Sequence, residues 1–148
     1  MPTHYQGDER EVRALNAFIK LQRAVESLNG RLQPELTRAG LTVSQFGVLE
    51  ALLHLGPMCQ KELGQKLLQS GGNITMVINN LEKRNLVKRT RDRQDRRYVQ
   101  VALTAEGRKL IVELFPHHAR SIADQMEVLS AAEQDSLALL CKRLGKQG

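Results

Sequence analysis

The side chains best placed to do chemistry in this chain are arginines. Between Lys83 and Arg97 stand eight basic residues (Lys83, Arg84, Lys88, Arg89, Arg91, Arg93, Arg96 and Arg97) against two acidic ones, Asp92 and Asp95, a local balance of +6 that equals the net charge of the whole chain. Charge at that density rewards a polyanion, because each phosphate met by Arg or Lys releases condensed counterions. A solvated charged face is the bland alternative, and what precedes the segment bears on the choice. Asn73, Thr75, Met76, Asn79, Asn80 and Lys83 recur at helical spacing opposite the apolar set Ile74, Val77, Ile78 and Leu81. Amides and a hydroxyl can bond base edges, and Met76 can meet a thymine methyl. Asn is a poor helix former, so an idle exposed face would more usually carry Glu, Lys or Ala.

Other chemistries lack their residues. There is no phosphate-binding glycine loop, no GxSxG and no carboxylate pair outside helix caps and the basic segment, so no catalytic residue is assigned and an enzyme is not expected. His117 and His118 with Glu113 one turn earlier form too small a set for a metal site, and exposed side chains are the preferred reading. No metal or cofactor is expected. The two cysteines, Cys59 and Cys141, show no CxxC spacing. Cys141, on a leucine-lined helix, reads as core; Cys59 is the candidate redox residue, weighed against a packed, idle thiol.

The elements that must hold these residues follow from periodicity. Val87, Arg89 and Arg91 alternate with Lys88 and Thr90, and Val99, Val101 and Leu103 with Tyr98, Gln100 and Ala102, which predicts two paired strands around the polar tip RDRQDRR. Upstream, Thr42 and Gln45 fit a capping box that opens a helix with Phe46, Leu49, Leu52 and Leu53 buried, ended by Gly56-Pro57. A short helix spans Gln60 to Leu68, burying Leu63 and Leu67, and Ser70 caps a third helix running to about Arg84. Two short helices joined by a tight turn and followed by a basic hairpin describe a winged helix–turn–helix.

Long amphipathic helices bracket this module. Asp8 to Asn29 carries the stripe Leu15, Phe18, Leu21, Val25 and Leu28, after which Gly30 and Pro34 are read as an interruption and Pro34 to Ala39 as a separate segment ending at Gly40. Thr104 to Gly107 opens a long helix with a kink expected at Pro116, and Ser130 with Glu133 caps a last helix bearing Leu137, Leu140 and Leu144. These stripes need a partner, which a second subunit would supply. The expected fold is mainly α with a small β-hairpin wing, a single domain over residues 1–148 in which about 34–103 read DNA and about 1–33 and 104–148 are dimerisation helices. With 41% hydrophobic residues, no Trp and few other aromatics, the chain can fill one aliphatic core. The opening MPTHYQGDER lacks a secretion signal and no apolar run suits a bilayer, so a cytoplasmic protein without a membrane partner is expected.

The chain resembles the multiple antibiotic resistance regulator (MarR) family of bacterial transcription factors. The resemblance is carried by LTVSQFGVLEAL, by QKELGQKLLQSGGNITMVINNLEKRNLVKR and above all by DRQDRRYVQVALTAEG, similar to the family's wing pattern Asp-x-x-Asp-x-Arg followed by a strand, Leu-Thr and Glu-Gly. It implies a homodimer that binds double-stranded DNA at pseudo-palindromic operators, usually as a repressor, and that releases it when a small aromatic or phenolic effector, or an oxidant, arrives. It places the effector between the reading module and the dimer helices. By resemblance Ser70, Asn73, Thr75, Met76, Asn79, Asn80 and Lys83 lie on the major-groove helix, and Arg91, Arg93, Arg96 and Arg97 serve the wing. Gln94 stands where some relatives carry Arg, which leaves the minor-groove finger open between Arg93 and Arg96. Asp92 and Asp95 are expected to shape the wing by pairing with its arginines, Arg97 among them. The alternative is a basic helical module for RNA or protein; against it, Tyr98 is the only aromatic near the basic segment, and single-strand RNA readers stack bases on aromatics.

Overall fold

The computed structural model describes residues 2–67 and 71–146. Contacts divide it into two compact units, Met1–Leu32 with Ala119–Gly148, and Gln33–His118. Helices α1 (Glu9–Arg38) and α5 (Ala105–Met126) contribute to both.

In the first unit α1 starts on a reciprocal pair: Asp8 Oδ1 accepts from the Glu11 N–H at 2.7 Å and Glu11 Oε1 from the Asp8 N–H at 3.2 Å, which satisfies two of the helix's opening donors. The break expected at Gly30 and Pro34 is absent, and α1 is continuous to Arg38. Gly30 and Pro34 stand four residues apart, so the N–H that proline lacks is the one that would have met the Gly30 carbonyl, and the two apparent breakers cost a single rung. Leu32 and Leu36, both buried, flank that rung. At about 1.5–3 kcal/mol for each buried leucine, they offset the roughly 3 kcal/mol a mid-helix proline costs. In α6 (Ala131–Gly145) the predicted capping box of Ser130 and Glu133 is present. The Ser130 bonds hold the Glu133 carboxyl below its ordinary pKa. No residue of α6 is buried, and Leu137, Leu140 and Leu144 lie exposed along it with Phe18 and Val25 of α1. Cys141, expected in the core, is exposed for the same reason.

The second unit holds the core. Helix α1 ends with Gly40 at φ +74°, the Gly40 N–H bonding to Thr37 O and the Leu41 N–H to Leu36 O, each at 2.9 Å. Helix α2 (Val43–Leu55) opens on the predicted Thr42–Gln45 box. It buries Phe46, Val48, Leu49 and Leu52. A two-residue strand β1 (Met58–Cys59) leads into α3 (Gln60–Lys66), then α4 (Gly71–Lys83), β2 (Val87–Arg91) and β3 (Val99–Leu103). The sheet is antiparallel in the order β1-β3-β2, with Met58 opposite Val101 and Arg89 opposite the same residue from the other side. Sequence reading missed β1 because two residues are too few to show a period of two. Leu63, Ile74, Ile78, Leu81, Val87, Val101 and Ile111 close the core with the α2 residues. Leu53 and Leu67, expected in it, pack on its edge. Helix α5 runs through Pro116. The carbonyl its ring leaves without a partner is that of Val112, an exposed residue whose backbone water can serve.

Candidate nucleic-acid interface

The helix that the sequence offers for base reading is held from beneath. Ile74, Val77, Ile78 and Leu81 are all buried, and at helical spacing this turns Asn73, Met76, Asn79, Asn80 and Lys83 outward; all five are exposed. Met76 keeps 61% of its surface in solvent, an apolar side chain left for something other than the core. Thr75 is half-buried, and its Oγ1 accepts from Gln60 Nε2 at 2.8 Å, so it also braces α4 against α3. Ser70, expected as cap and contact, lies outside the described residues.

Helix and wing are joined rigidly. Asn85 adopts φ 58°, its N–H bonding to Glu82 O at 2.9 Å and that of Leu86 to Leu81 O at 3.0 Å, so α4 stops and β2 begins within two residues. Thr104 then locks the far side: its N–H bonds to Leu86 O at 3.1 Å, its hydroxyl donates to Asn85 O at 2.7 Å, and the same Oγ1 accepts from the Gly107 N–H at 3.0 Å. Arg84, at the end of α4, donates through Nη1 to the Gly40 carbonyl, tying the helix to the turn between α1 and α2.

The tip of the wing is shaped by its two acids in different ways. Asp95 accepts from Arg97 Nε and Nη2 at 2.9 Å each and from the Arg97 N–H at 3.1 Å. Those bonds hold the Asp95 carboxyl below its ordinary range and raise the Arg97 guanidinium. Asp92, expected to pair with an arginine, takes the Gln94 N–H at 2.8 Å, a local turn in which a backbone donor two residues away outcompetes longer side chains. Arg91 Nη1 donates to Arg96 O at 2.9 Å and braces the loop from its base. With Arg97 turned to Asp95, Arg93 and Arg96 are the exposed tip arginines not assigned a bracing side-chain bond.

Between α4 and the wing lies a groove of about 580 Å³ whose walls include Gln60, Lys61, Thr75, Arg97 and Tyr98. Cys59 lies on it half-buried, its Sγ–H directed to Glu62 Oε1 at 3.3 Å. Sequence reasoning missed Arg89. It shares a strand face with buried Val87, and that alternation could have shown that it points toward the helix rather than into solvent. It also misjudged His118, expected to be exposed. The ring lies half-buried against Phe46, centroids 4.3 Å apart, with its Nδ1 buried and lacking a hydrogen bond. Phe115 adjoins the pair, and His54 meets Phe115 edge-on at 4.6 Å. Among the described residues no group of three His, Cys, Asp or Glu side chains converges to hold a metal.

A buried helix–turn–helix with an amide-bearing second helix, followed by a braced arginine hairpin, defines a winged-helix DNA-binding protein. A family model described as MarR family matches residues 39–97. The regulator MhqR of Bacillus subtilis, an HTH-type transcriptional regulator, is 35% identical over 133 residues, covering 90% of this chain and 92% of that one. Two solved structures are similar throughout. NadR in complex with 4-hydroxyphenylacetate superimposes with a TM-score of 0.77 at 28% identity, covering 100% of both chains. BpsR of Bordetella bronchiseptica, whose DNA binding is regulated by 6-hydroxynicotinic acid, gives 0.81 at 27%, covering 88% of this chain and 98% of that one. The chain belongs to the MarR family and is a DNA-binding transcriptional regulator. No helix among the described residues is long and apolar enough to cross a membrane.

Proposed function

We propose that this regulator is a cytoplasmic, non-enzymatic homodimeric repressor of a pseudo-palindromic operator. Asn73, Met76, Asn79, Asn80 and Lys83 meet the major groove, and Arg93 and Arg96 the flanking DNA. Arg91, Arg97, Asp92 and Asp95 keep the wing in shape, and Thr75 contributes at the groove-facing edge of α4. The observation that carries this reading is the division of α4 into a fully buried apolar face and an exposed amide face, continuous with the basic wing. Residues of about 1–33 and 104–148 act as dimerisation helices, which accords with the unburied leucines of α6. Operator selection from a pool of random duplexes, followed by sedimentation of the complex, tests the proposal. A two-fold symmetric consensus bound by two copies is the expected result; binding without sequence preference would refute it.

The effector is a small aromatic acid or phenol, the class bound by NadR and acting on BpsR. Within the second unit, Phe46, Phe115 and His54 supply ring faces, and His118 Nδ1 supplies a buried polar atom that a phenol or carboxylate would satisfy. Oxidation at Cys59 is the second route to release; its place on the groove beside Thr75 and Tyr98 favours it, since added bulk there would obstruct DNA.

A further inference from the structure

Arg89 occupies the middle of β2, where the sheet's alternation turns it inward beneath α4. Its Nη2 donates to Asn79 Oδ1. Its own position is set from the same helix: Glu82 Oε2 accepts the Arg89 N–H at 3.3 Å, and Glu82 Oε1 lies 3.9 Å from Arg89 Nε. That Nε is buried and makes no hydrogen bond, so the guanidinium is held by charge and by the Asn79 contact rather than by a full set of partners. Arg89 is half-buried, while Asn79 is exposed on the face that meets the groove.

The direction of the bond follows from chemistry. A guanidinium has donors and no acceptor, so the amide atom facing it must be the carbonyl oxygen, and Asn79 is left presenting its NH₂. An asparagine able to rotate reads adenine through two bonds, donating to N7 and accepting from the N6 amino group. With the oxygen occupied, the second of these is lost. What remains is a donor, which suits a keto oxygen: O6 of guanine or O4 of thymine.

We propose that Arg89 is a positioning residue that fixes the Asn79 amide as a donor, so that each half-site carries guanine or thymine, not adenine, at the base Asn79 meets. This rests on the assignment of Asn79 to the major groove and adds the identity of the base. Arg89 need not touch DNA to act on specificity, and its loss should move one position of the operator while leaving the others unchanged.

The test is selection from a randomised duplex pool with the full chain and three variants. In the parent protein, the position that Asn79→Ala relaxes should prefer a keto base by about three- to tenfold, the worth of one neutral hydrogen bond. Arg89→Met keeps the aliphatic stem and removes every donor; it should shift that position toward adenine. Asn79→Asp offers only acceptors and should favour an exchangeable amino group, on cytosine or adenine. Arg89→Lys retains a donor and should keep the parent preference, which separates positioning from mere packing. If Asn79→Ala changes no position, the assignment of Asn79 to base reading fails and the proposal with it. If Asn79→Ala relaxes one position but the parent prefers adenine or cytosine there, or Arg89→Met leaves it unchanged, base reading stands and the role of Arg89 is overturned.

Discussion

Replacing Gly107 by alanine should destabilise this protein, although the same change normally strengthens a helix. Gly107 lies in the first turn of α5, where alanine would gain up to about 1 kcal/mol in propensity. A methyl built there, however, would stand 1.9 Å from Leu86 O and 2.9 Å from Leu86 C, backbone atoms that no rotamer change can move aside. The Leu86 carbonyl accepts the Thr104 N–H and follows directly on the left-handed Asn85, so retreat would disturb the joint between α4 and β2. Overpacking costs about 1–3 kcal/mol and a weakened hydrogen bond about 1 more. Set against the propensity gain, the net loss is roughly 1–3 kcal/mol. Gly30 provides the control, since nothing lies within 4 Å of a methyl built there inside α1. Gly30→Ala should gain about 0.5–1 kcal/mol. Urea unfolding of both variants at one fixed protomer concentration, needed because assembly contributes to stability, should show midpoints moving in opposite directions with an unchanged slope. A Gly107→Ala protein as stable as the parent would refute the close approach.

Arg93→Ala with Arg96→Ala should weaken binding to operator and random DNA alike and make log K against log salt shallower by about two units, at about 0.9 per phosphate contact; an unaltered slope in a salt titration would mean that the wing tip does not touch DNA. Asp95 is held below its model value of 3.8 by Arg97, so its share of wing order is fully present above that value and is lost as pH falls through the lowered one. A carboxyl NMR titration should place its midpoint below 3.8 and return it upward in Arg97→Gln, and a parent midpoint at or above 3.8 would exclude the pair in solution. His118→Phe keeps the ring against Phe46 but removes the buried Nδ1; it should leave operator affinity within about threefold while raising the concentration of 4-hydroxyphenylacetate or 6-hydroxynicotinate needed for release roughly tenfold, the scale of one buried hydrogen bond, in a fluorescence anisotropy competition. Equal release curves for parent and variant would remove His118 from the effector's contacts.

Local patterns made much of this protein legible in one dimension. The capping boxes at Thr42–Gln45 and Ser130–Glu133 are contacts between residues three apart, and the buried face Ile74, Val77, Ile78 and Leu81 is written in the helical repeat, so each could be read without knowing what lies opposite. The alternation of Val87 to Arg91 and Val99 to Leu103 likewise revealed the wing. Where a distant partner decides, the sequence was silent or misleading. Pro34 looked like a stop, but the burial of Leu32 and Leu36 carries α1 through it. Strand β1 exists only because β3 offers an edge to Met58 and Cys59. His118 turned inward because Phe46, far away in the chain, supplies the ring it packs on. Asn79 was recognisable as a polar residue on a helix, but which end of its amide meets solvent depends on Arg89, placed beneath it by the register of a sheet. Periodicity encodes which face of an element is buried; only tertiary packing decides what that face meets, and hence which donors and acceptors remain for a ligand.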